Sequence, residues 1–149
     1  MILKLLPDDR IAKNAMGRAN YQLLDYSSAR SVYEEALGEG DAGIEAQVGL
    51  ALLDVREGKF QNALLQMDKI LQQQPTHQKA LNVSAMAAIG LDRHDQAKSF
   101  VQRSLAVDDR DPTAVDLQQT LSIDTAPTLK LPANDKIALP EVIQKKLEQ

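Results

Sequence analysis

Apolar side chains recur along this chain with the spacing of helices rather than of strands, and the whole pattern repeats every 34 residues. Three alanines mark the repeat. Each follows a ring by three residues and precedes a larger apolar side chain by four. In chain order the alanines are Ala29, Ala63 and Ala97, the rings are Tyr26, Phe60 and His94, and the larger side chains are Tyr33, Met67 and Val101. Self-similarity at a fixed period of this length is typical of stacked helix pairs.

Each 34-residue unit is predicted to hold two helices joined by a tight turn. The predicted pairs are 10–24 with 26–37, 44–56 with 60–73, and 78–90 with 94–107, followed by a single helix over 113–121. Gly58 suits the left-handed backbone that closes a helix, and Pro75 cannot extend the hydrogen-bond ladder of the helix before it. Three glycines within residues 38–43 predict a flexible joint between the first two pairs.

This pattern resembles the tetratricopeptide repeat over residues 10–109. The resemblance rests on GKFQNALLQMDKILQQQP at residues 58–75, on DYSSARSVYEEAL in the first pair and, more loosely, on RHDQAKSFVQRSLAVDD in the third. It implies an all-α fold: a right-handed α-solenoid of three antiparallel helix pairs with a C-terminal capping helix and an extended tail. It also implies binding of other proteins rather than catalysis.

The register divides the chain into a start, three repeats, a capping helix and a tail. The predicted segments are 1–9, 10–43, 44–77, 78–111, 112–121 and 122–149. Pro7 lies one full period before Asp41, in phase with the helix-ending positions, so Ile2, Leu3 and Leu5 are predicted to close the second helix of an earlier repeat. On this interpretation the chain is a piece of a longer protein, or a half-repeat serves as its N-terminal cap.

Composition narrows the classes of function. The formal net charge is −4 with the signs interspersed, which lacks the basic stripe that nucleic-acid binding requires. Cysteine is absent, so disulfides and thiolate chemistry are excluded and the redox compartment stays open. No apolar run approaches the ~18 residues of a membrane span, so we expect no membrane insertion of this chain. For compartment, the sequence leaves the bacterial periplasm and the cytoplasm as alternatives.

The few residues that could carry chemistry have structural interpretations. His77 falls in a turn between repeats, and His94 occupies the ring position of the third repeat. The adjacent carboxylates at 8–9 and 108–109 precede first helices, where negative charge is favourable. No nucleophile–base set or phosphate loop has usable spacing. We therefore expect no enzyme activity, no cofactor and no metal site.

In tetratricopeptide proteins the concave surface is lined by first-helix side chains, and the 34-residue period locates the corresponding positions here. The predicted apolar floor consists of Tyr21, Val48, Leu52, Val55, Met86 and Ile89, and the predicted orienting polar groups are Asn14, Arg18, Lys79 and Asn82. Ordinary core packing is the alternative role for some of the apolar positions on this face. Family members that grip acidic C-terminal tails use Lys, Asn and Arg side chains on this face. Val48 and Leu52 take those positions in the middle repeat, so carboxylate binding is not expected.

The resulting prediction is a non-enzymatic scaffold that holds a segment of a partner protein in its concave groove. The style of the sequence also resembles bacterial members of pilus-assembly and secretion complexes. Two alternatives are an auxiliary or regulatory domain of a larger enzyme and a self-associating structural solenoid. Self-association would use the apolar face or the open edge at Leu3 and Leu5.

The tail offers one further hypothesis. Its apolar residues are Leu129, Leu131, Ile137, Leu139, Val142 and Ile143, and a short helix is predicted from Pro140 to Leu147. Because the tail is tethered to the last helix, some of residues 127–143 are expected to pack in the groove or over the last helix pair. The alternative is a disordered connector.

Overall fold

The computed structural model describes residues 9–123, and every regular element in that range is an α-helix. Seven helices follow one another: α1 (Asp9–Gln22), α2 (Tyr26–Glu35), α3 (Gly40–Arg56), α4 (Phe60–Gln73), α5 (Gln78–Gly90), α6 (His94–Val107) and α7 (Pro112–Ile123). No strand occurs between residues 9 and 123, and the predicted all-α class, with helix pairs of the α-solenoid type, is confirmed. The predictions for the N-terminal half-repeat and for the tail lie outside the described residues.

The described chain forms two compact units, divided between Leu53 and Asp54. In the first unit, α1 packs against α2, and a core forms around the side chains of Ala29, Tyr33, Ala36, Ala46 and Leu53. In the second unit, α5 packs against α4, α6 and α7. Helix α5 is therefore the centre of the second unit, and all eleven residues from Ala80 to Gly90 are buried.

The turn inside each helix pair has the same backbone geometry. Leu24, Gly58 and Asp92 lie 34 residues apart and adopt positive φ angles of 65°, 81° and 60°. After each of them, the next backbone N–H donates to the carbonyl five residues earlier: Asp25 to Asn20 at 2.9 Å, Lys59 to Asp54 at 2.8 Å and Arg93 to Ala88 at 2.8 Å. This closure satisfies a carbonyl that the helix end leaves open. The register predicted from the alanines is thus present in the backbone.

The second helices bury the face that carries the repeated alanines. Ala29, Ala63 and Ala97 are all fully buried. On α4 the buried residues follow the spacing of one helical face, namely Phe60, Ala63, Leu64, Met67, Ile70 and Leu71. Fully burying each of the larger side chains contributes roughly 1.5–3 kcal/mol, so this face supplies much of the packing energy of the second unit.

Glycines in the first helices make room for aromatic rings. A Cβ added at Gly17 would lie 2.5 Å from the Tyr33 ring, and one at Gly49 would also overlap that ring. In the second unit, the Phe60 ring occupies the space where a Cβ of Gly90 would be. The rings of Tyr33 and Phe60 therefore depend on small residues elsewhere in the same unit.

Helix α3 corrects one prediction. It begins at Gly40, four residues before the predicted start at Ile44, so it takes in part of the expected flexible joint at 38–43. Gly43 lies inside α3 against the carbonyl oxygen of Gly38, a contact that leaves no space for a Cβ. Two of the three glycines are thus part of a helix, and one of them permits a close backbone approach. The predicted bounds of α4, α5 and α6 are confirmed.

Candidate functional site

Two of the predicted polar groups in the first unit bind to their own chain. Arg18 on α1 forms an ion pair with Glu45 on α3. Asn14 is fully buried, and its amide donates to the carbonyl oxygen of Ala42 at 2.8 Å. Asn14 therefore connects α1 to the first turn of α3, a role different from the predicted contact with a partner.

Asn82 in the second unit makes the corresponding connection with more bonds. Its amide donates to the carboxylate of Asp111 at 2.9 Å, and its Oδ1 accepts from the hydroxyl of Ser104 at 2.7 Å. The same oxygen of Asp111 accepts from the backbone N–H of Ala114 at 3.0 Å and so caps α7. Asn82 thus connects α5 to the end of α6 and the start of α7.

The predicted apolar floor divides into buried and accessible members. Val55 and Ile89 have no exposed surface, and Val48 and Met86 are about 95% buried, at 6% and 5% exposure. Leu52 on α3 and Tyr21 on α1 are half-buried, and Tyr21 packs edge-on against Tyr26 with 5.4 Å between ring centroids. Lys79, at the start of α5, is exposed. The side chains with accessible surface are therefore Arg18, Tyr21, Leu52 and Lys79.

An exposed apolar surface on α1 was not predicted from the sequence. Ala12, Ala15, Met16 and Ala19 are all exposed, and Met16 keeps 55% of its surface accessible. One and two periods later, most of the corresponding residues are buried: Ala46, Gly49 and Leu53 on α3, and Ala80, Val83, Ser84 and Ala87 on α5, with only Leu50 half-buried. The sequence carries a signal for this surface, because the 34-residue register relates α1 to α3 and α5, which use the same face for packing.

Four titratable side chains within residues 9–123 are affected by burial or cap a helix. Burial raises the pKa of the Tyr33 phenol, which lies in the first core. Burial also raises the pKa of the Asp116 carboxyl on α7. A hydrogen bond from Ser28 at the start of α2 lowers the pKa of Asp25, which caps that helix. His77 caps α5, since its Nδ1 accepts from the backbone N–H of Ala80 at 3.2 Å.

Neither a cluster of metal-ligating side chains nor a helix suited to span a membrane occurs within residues 9–123. Between residues 9 and 123, no three His, Cys, Asp or Glu side chains are grouped so that they could hold a metal ion. In the same range, no helix combines the length and the apolar character that crossing a bilayer requires.

Comparison with protein families assigns part of the chain. Residues 54–121 match the family model described as Tetratricopeptide repeat. The matched range begins at the first residue of the second unit and ends within α7. No curated protein and no solved structure shows significant similarity to the chain.

Proposed function

We propose that this chain is a non-enzymatic scaffold that binds a segment of another protein on the face of its first helices, because residues 54–121 match the tetratricopeptide repeat family model. Tetratricopeptide repeats generally mediate protein–protein interaction, and the family is typically non-catalytic. The family match is the observation that carries this proposal. A role in pilus assembly or secretion, and a place within a larger enzyme, stay predictions.

The predicted binding residues that keep accessible surface define the contacts that a partner would make. Leu52 on α3 and Tyr21 on α1 offer half-buried side chains. Lys79 is an exposed cation that would orient acidic or carbonyl groups of the partner, whereas Arg18 is exposed but already paired with Glu45. Asn14 and Asn82 donate to their own chain and are left out of this narrower contact set.

Leucine-to-glutamate substitutions on two different helices test the proposed face. A partner captured by the full chain from cells of its source would be purified, and its Kd would be measured for the wild type, Leu52→Glu and Leu65→Glu. Leu65 lies on α4, a second helix, and is 55% exposed, so it serves as the matched control. We expect Leu52→Glu to weaken binding at least about tenfold, equivalent to about 1.4 kcal/mol, and Leu65→Glu to leave it unchanged.

Equal affinities for the two variants would contradict the proposed face, whether both bind or both fail to bind. Circular dichroism on each variant separates a lost contact from a lost fold. A charge-reversing Lys79→Glu variant adds a polar arm to the experiment. Because Lys79 is exposed, its effect should appear mainly in the salt dependence of association.

A second candidate function, self-association, is favoured by the distribution of exposed apolar side chains. Of the large hydrophobic residues exposed within 9–123, most belong to the first unit: Ile11, Met16, Leu23, Leu24 and Leu37. A concentration of exposed large apolar side chains in one unit favours an interaction site there. The corresponding surface of α5 is covered by packing within the second unit, so a helix of a second copy is a chemically suitable occupant for α1.

Light scattering across a concentration series tests this second candidate. The wild-type chain is expected to dimerise as concentration rises, and Met16→Glu is expected to shift the midpoint to at least about tenfold higher concentration. Leu65→Glu, which changes an exposed leucine outside the first unit, is the control. A wild-type chain that stays monomeric throughout would remove self-association from consideration.

A further inference from the structure

The second unit carries a small open cavity at the end of the described chain, between α6 and α7. Its volume is about 140 Å³, and it is lined by Lys98, Val101, Gln102, Gln118, Leu121 and Ser122. Val101 and Leu121 form an apolar floor, while the lysine, glutamine and serine side chains form a polar rim. An apolar cavity of about 150 Å³ accommodates a benzene molecule, so this one has room for a single large apolar side chain.

The repeat register shows what occupies the same place one period earlier. The six lining residues correspond to Leu64, Met67, Asp68, Ser84, Ala87 and Ala88 on α4 and α5, and all of these except Asp68 are buried. There α6 follows α5 and packs against it. After α7 no further helix follows within residues 9–123, so the corresponding position is open in the described chain.

The side chains around the cavity argue against a complete additional helix as its occupant. Gln118 and Ser122 replace Ser84 and Ala88 of α5, and Lys98 replaces Leu64 of α4. A polar rim with a small apolar floor suits an occupant that inserts one or two apolar side chains and leaves the rim in water. Pro132 also argues against a regular second helix at the next register position, because it would lie within the second turn of that helix.

We propose that this cavity is the docking site of the chain's own C-terminal segment 137–147. This segment contains Ile143 and Leu147, which lie four residues apart and share one face of the helix predicted from Pro140, and Val142, which is about 100° from Ile143 around that helix. The remaining apolar residues, Ile137 and Leu139, directly precede that helix. The segment therefore supplies a large apolar side chain of the size that the cavity has room for.

The tether makes the chain's own tail the favoured occupant over a separate molecule. The described chain ends at Ile123, one residue after Ser122 on the cavity rim. The intervening residues 124–139 can extend to roughly 50 Å, whereas α7 itself is roughly 18 Å long. A segment tethered at this distance has an effective concentration in the millimolar range, so even weak packing would keep it bound. This inference is independent of the proposed partner-binding face.

Paramagnetic relaxation measurements on the full chain test the docking. The chain has no cysteine, so Gln119→Cys carries a single spin label beside the cavity, on an exposed position of α7 that does not line it. We expect the label to broaden the amide signals of residues 137–147. The double substitution Val142→Asp with Ile143→Asp should restore those signals, and the control Gln144→Asp should leave them broadened.

Three results would overturn the proposal. The first is sharp signals for residues 137–147 in the labelled wild-type chain. The second is broadening that persists in the Val142→Asp, Ile143→Asp chain, because contact would then not depend on the apolar face. The third is broadening of the same size when spin-labelled chains are mixed with isotope-labelled copies that carry no spin label, which would assign the cavity to a second copy.

Discussion

The first and third helix pairs place an asparagine at the same register position, yet the two side chains are satisfied to different degrees. Asn82 uses both ends of its amide group, on Ser104 and Asp111, whereas Asn14 donates to Ala42 and its Oδ1 has no partner within residues 9–123. The reason lies 22 residues further on in each pair, where Ser104 is replaced by Ala36. The same buried residue therefore stabilises the third pair more than the first.

The same two register positions are also occupied by apolar residues. Val48 stands at the asparagine position in the first unit and Ile70 at the serine position in the second unit, and each side chain is buried. A buried polar group contributes to stability only when its partners are present, and replacing both partners by apolar groups is nearly neutral. The first pair, with one polar and one apolar member, is the incomplete case.

Truncating each asparagine gives the largest expected effect and the most direct contrast. Asn82→Ala should destabilise the protein by about 2–3 kcal/mol, because it removes two hydrogen bonds and leaves the buried Ser104 hydroxyl without an acceptor. Asn14→Ala should cost about 1 kcal/mol, since one bond and one unsatisfied oxygen disappear together. Urea denaturation of the two variants measures both values. A larger cost at Asn14 than at Asn82 would break the comparison.

The larger apolar side chains four residues after the repeated alanine differ between the same two pairs in the space that they occupy. Tyr33 fits because Gly17 and Gly49 lack side chains, whereas the third pair has Val101 with Ala85 and Leu117 at the corresponding positions. Gly49→Ala should destabilise by about 1–2 kcal/mol, because crowding of the ring outweighs the higher helix propensity of alanine. In a Tyr33→Leu background the same substitution should be neutral or stabilising. Thermal unfolding of the four chains checks this, and an unaltered penalty in that background would contradict the explanation.

The closing turns supply a stabilising change. Leu24 adopts the left-handed conformation with φ of 65° and is 68% exposed, whereas the third pair has Asp92 at that position with φ of 60°. Leu24→Gly should stabilise by about 1 kcal/mol, since glycine adopts positive φ without the steric cost of a Cβ. Asp92→Gly should gain less, because aspartate tolerates this conformation better than leucine. Denaturation midpoints that rise equally for both would refute the ranking.

Adding the missing hydroxyl to the first pair has the smallest expected effect. Ala36→Ser should stabilise by about 0.5–1 kcal/mol, as a hydroxyl there is expected to reach Asn14 Oδ1 in the way that Ser104 reaches Asn82. Lys13 and Glu35, each one residue earlier, already approach to 3.6 Å across the two helices. Ala29→Ser is the control, because it adds a hydroxyl at another fully buried alanine of α2 and should destabilise.

Periodicity predicts the helices of this chain well because the packing itself is periodic. The bounds of α4, α5 and α6 follow from the repeated alanines and from the stops at Gly58 and Pro75. The start of α3 could not be predicted in this way. Glycine propensity argues against a helix at residues 40–43, and only the close approach of Gly43 to the Gly38 carbonyl explains why glycine is needed inside that helix.

The candidate site was predicted less completely than the helices. The repeat register identifies which side chains share one face of a helix, but it does not identify the residues that pack against that face. The sequence locates the first-helix positions, and Arg18, Tyr21, Leu52 and Lys79 do keep accessible surface. The apolar character of Ile89 could equally indicate core or groove, and burial decides for the core. The roles of Asn14 and Asn82 depend on residues 22 to 29 positions away, which periodicity alone does not reveal.

The central claim is that one buried register position connects the first helix to its neighbours through asparagine hydrogen bonds in the first and third pairs, and a double-mutant cycle tests it most directly. The free energy of unfolding would be measured for the wild type, Asn14→Ala, Ala36→Ser and the double variant. We expect Ala36→Ser to stabilise only when Asn14 is present, with a coupling energy of about 1 kcal/mol. An identical effect of Ala36→Ser in both backgrounds would show that the two positions are independent and would contradict this claim.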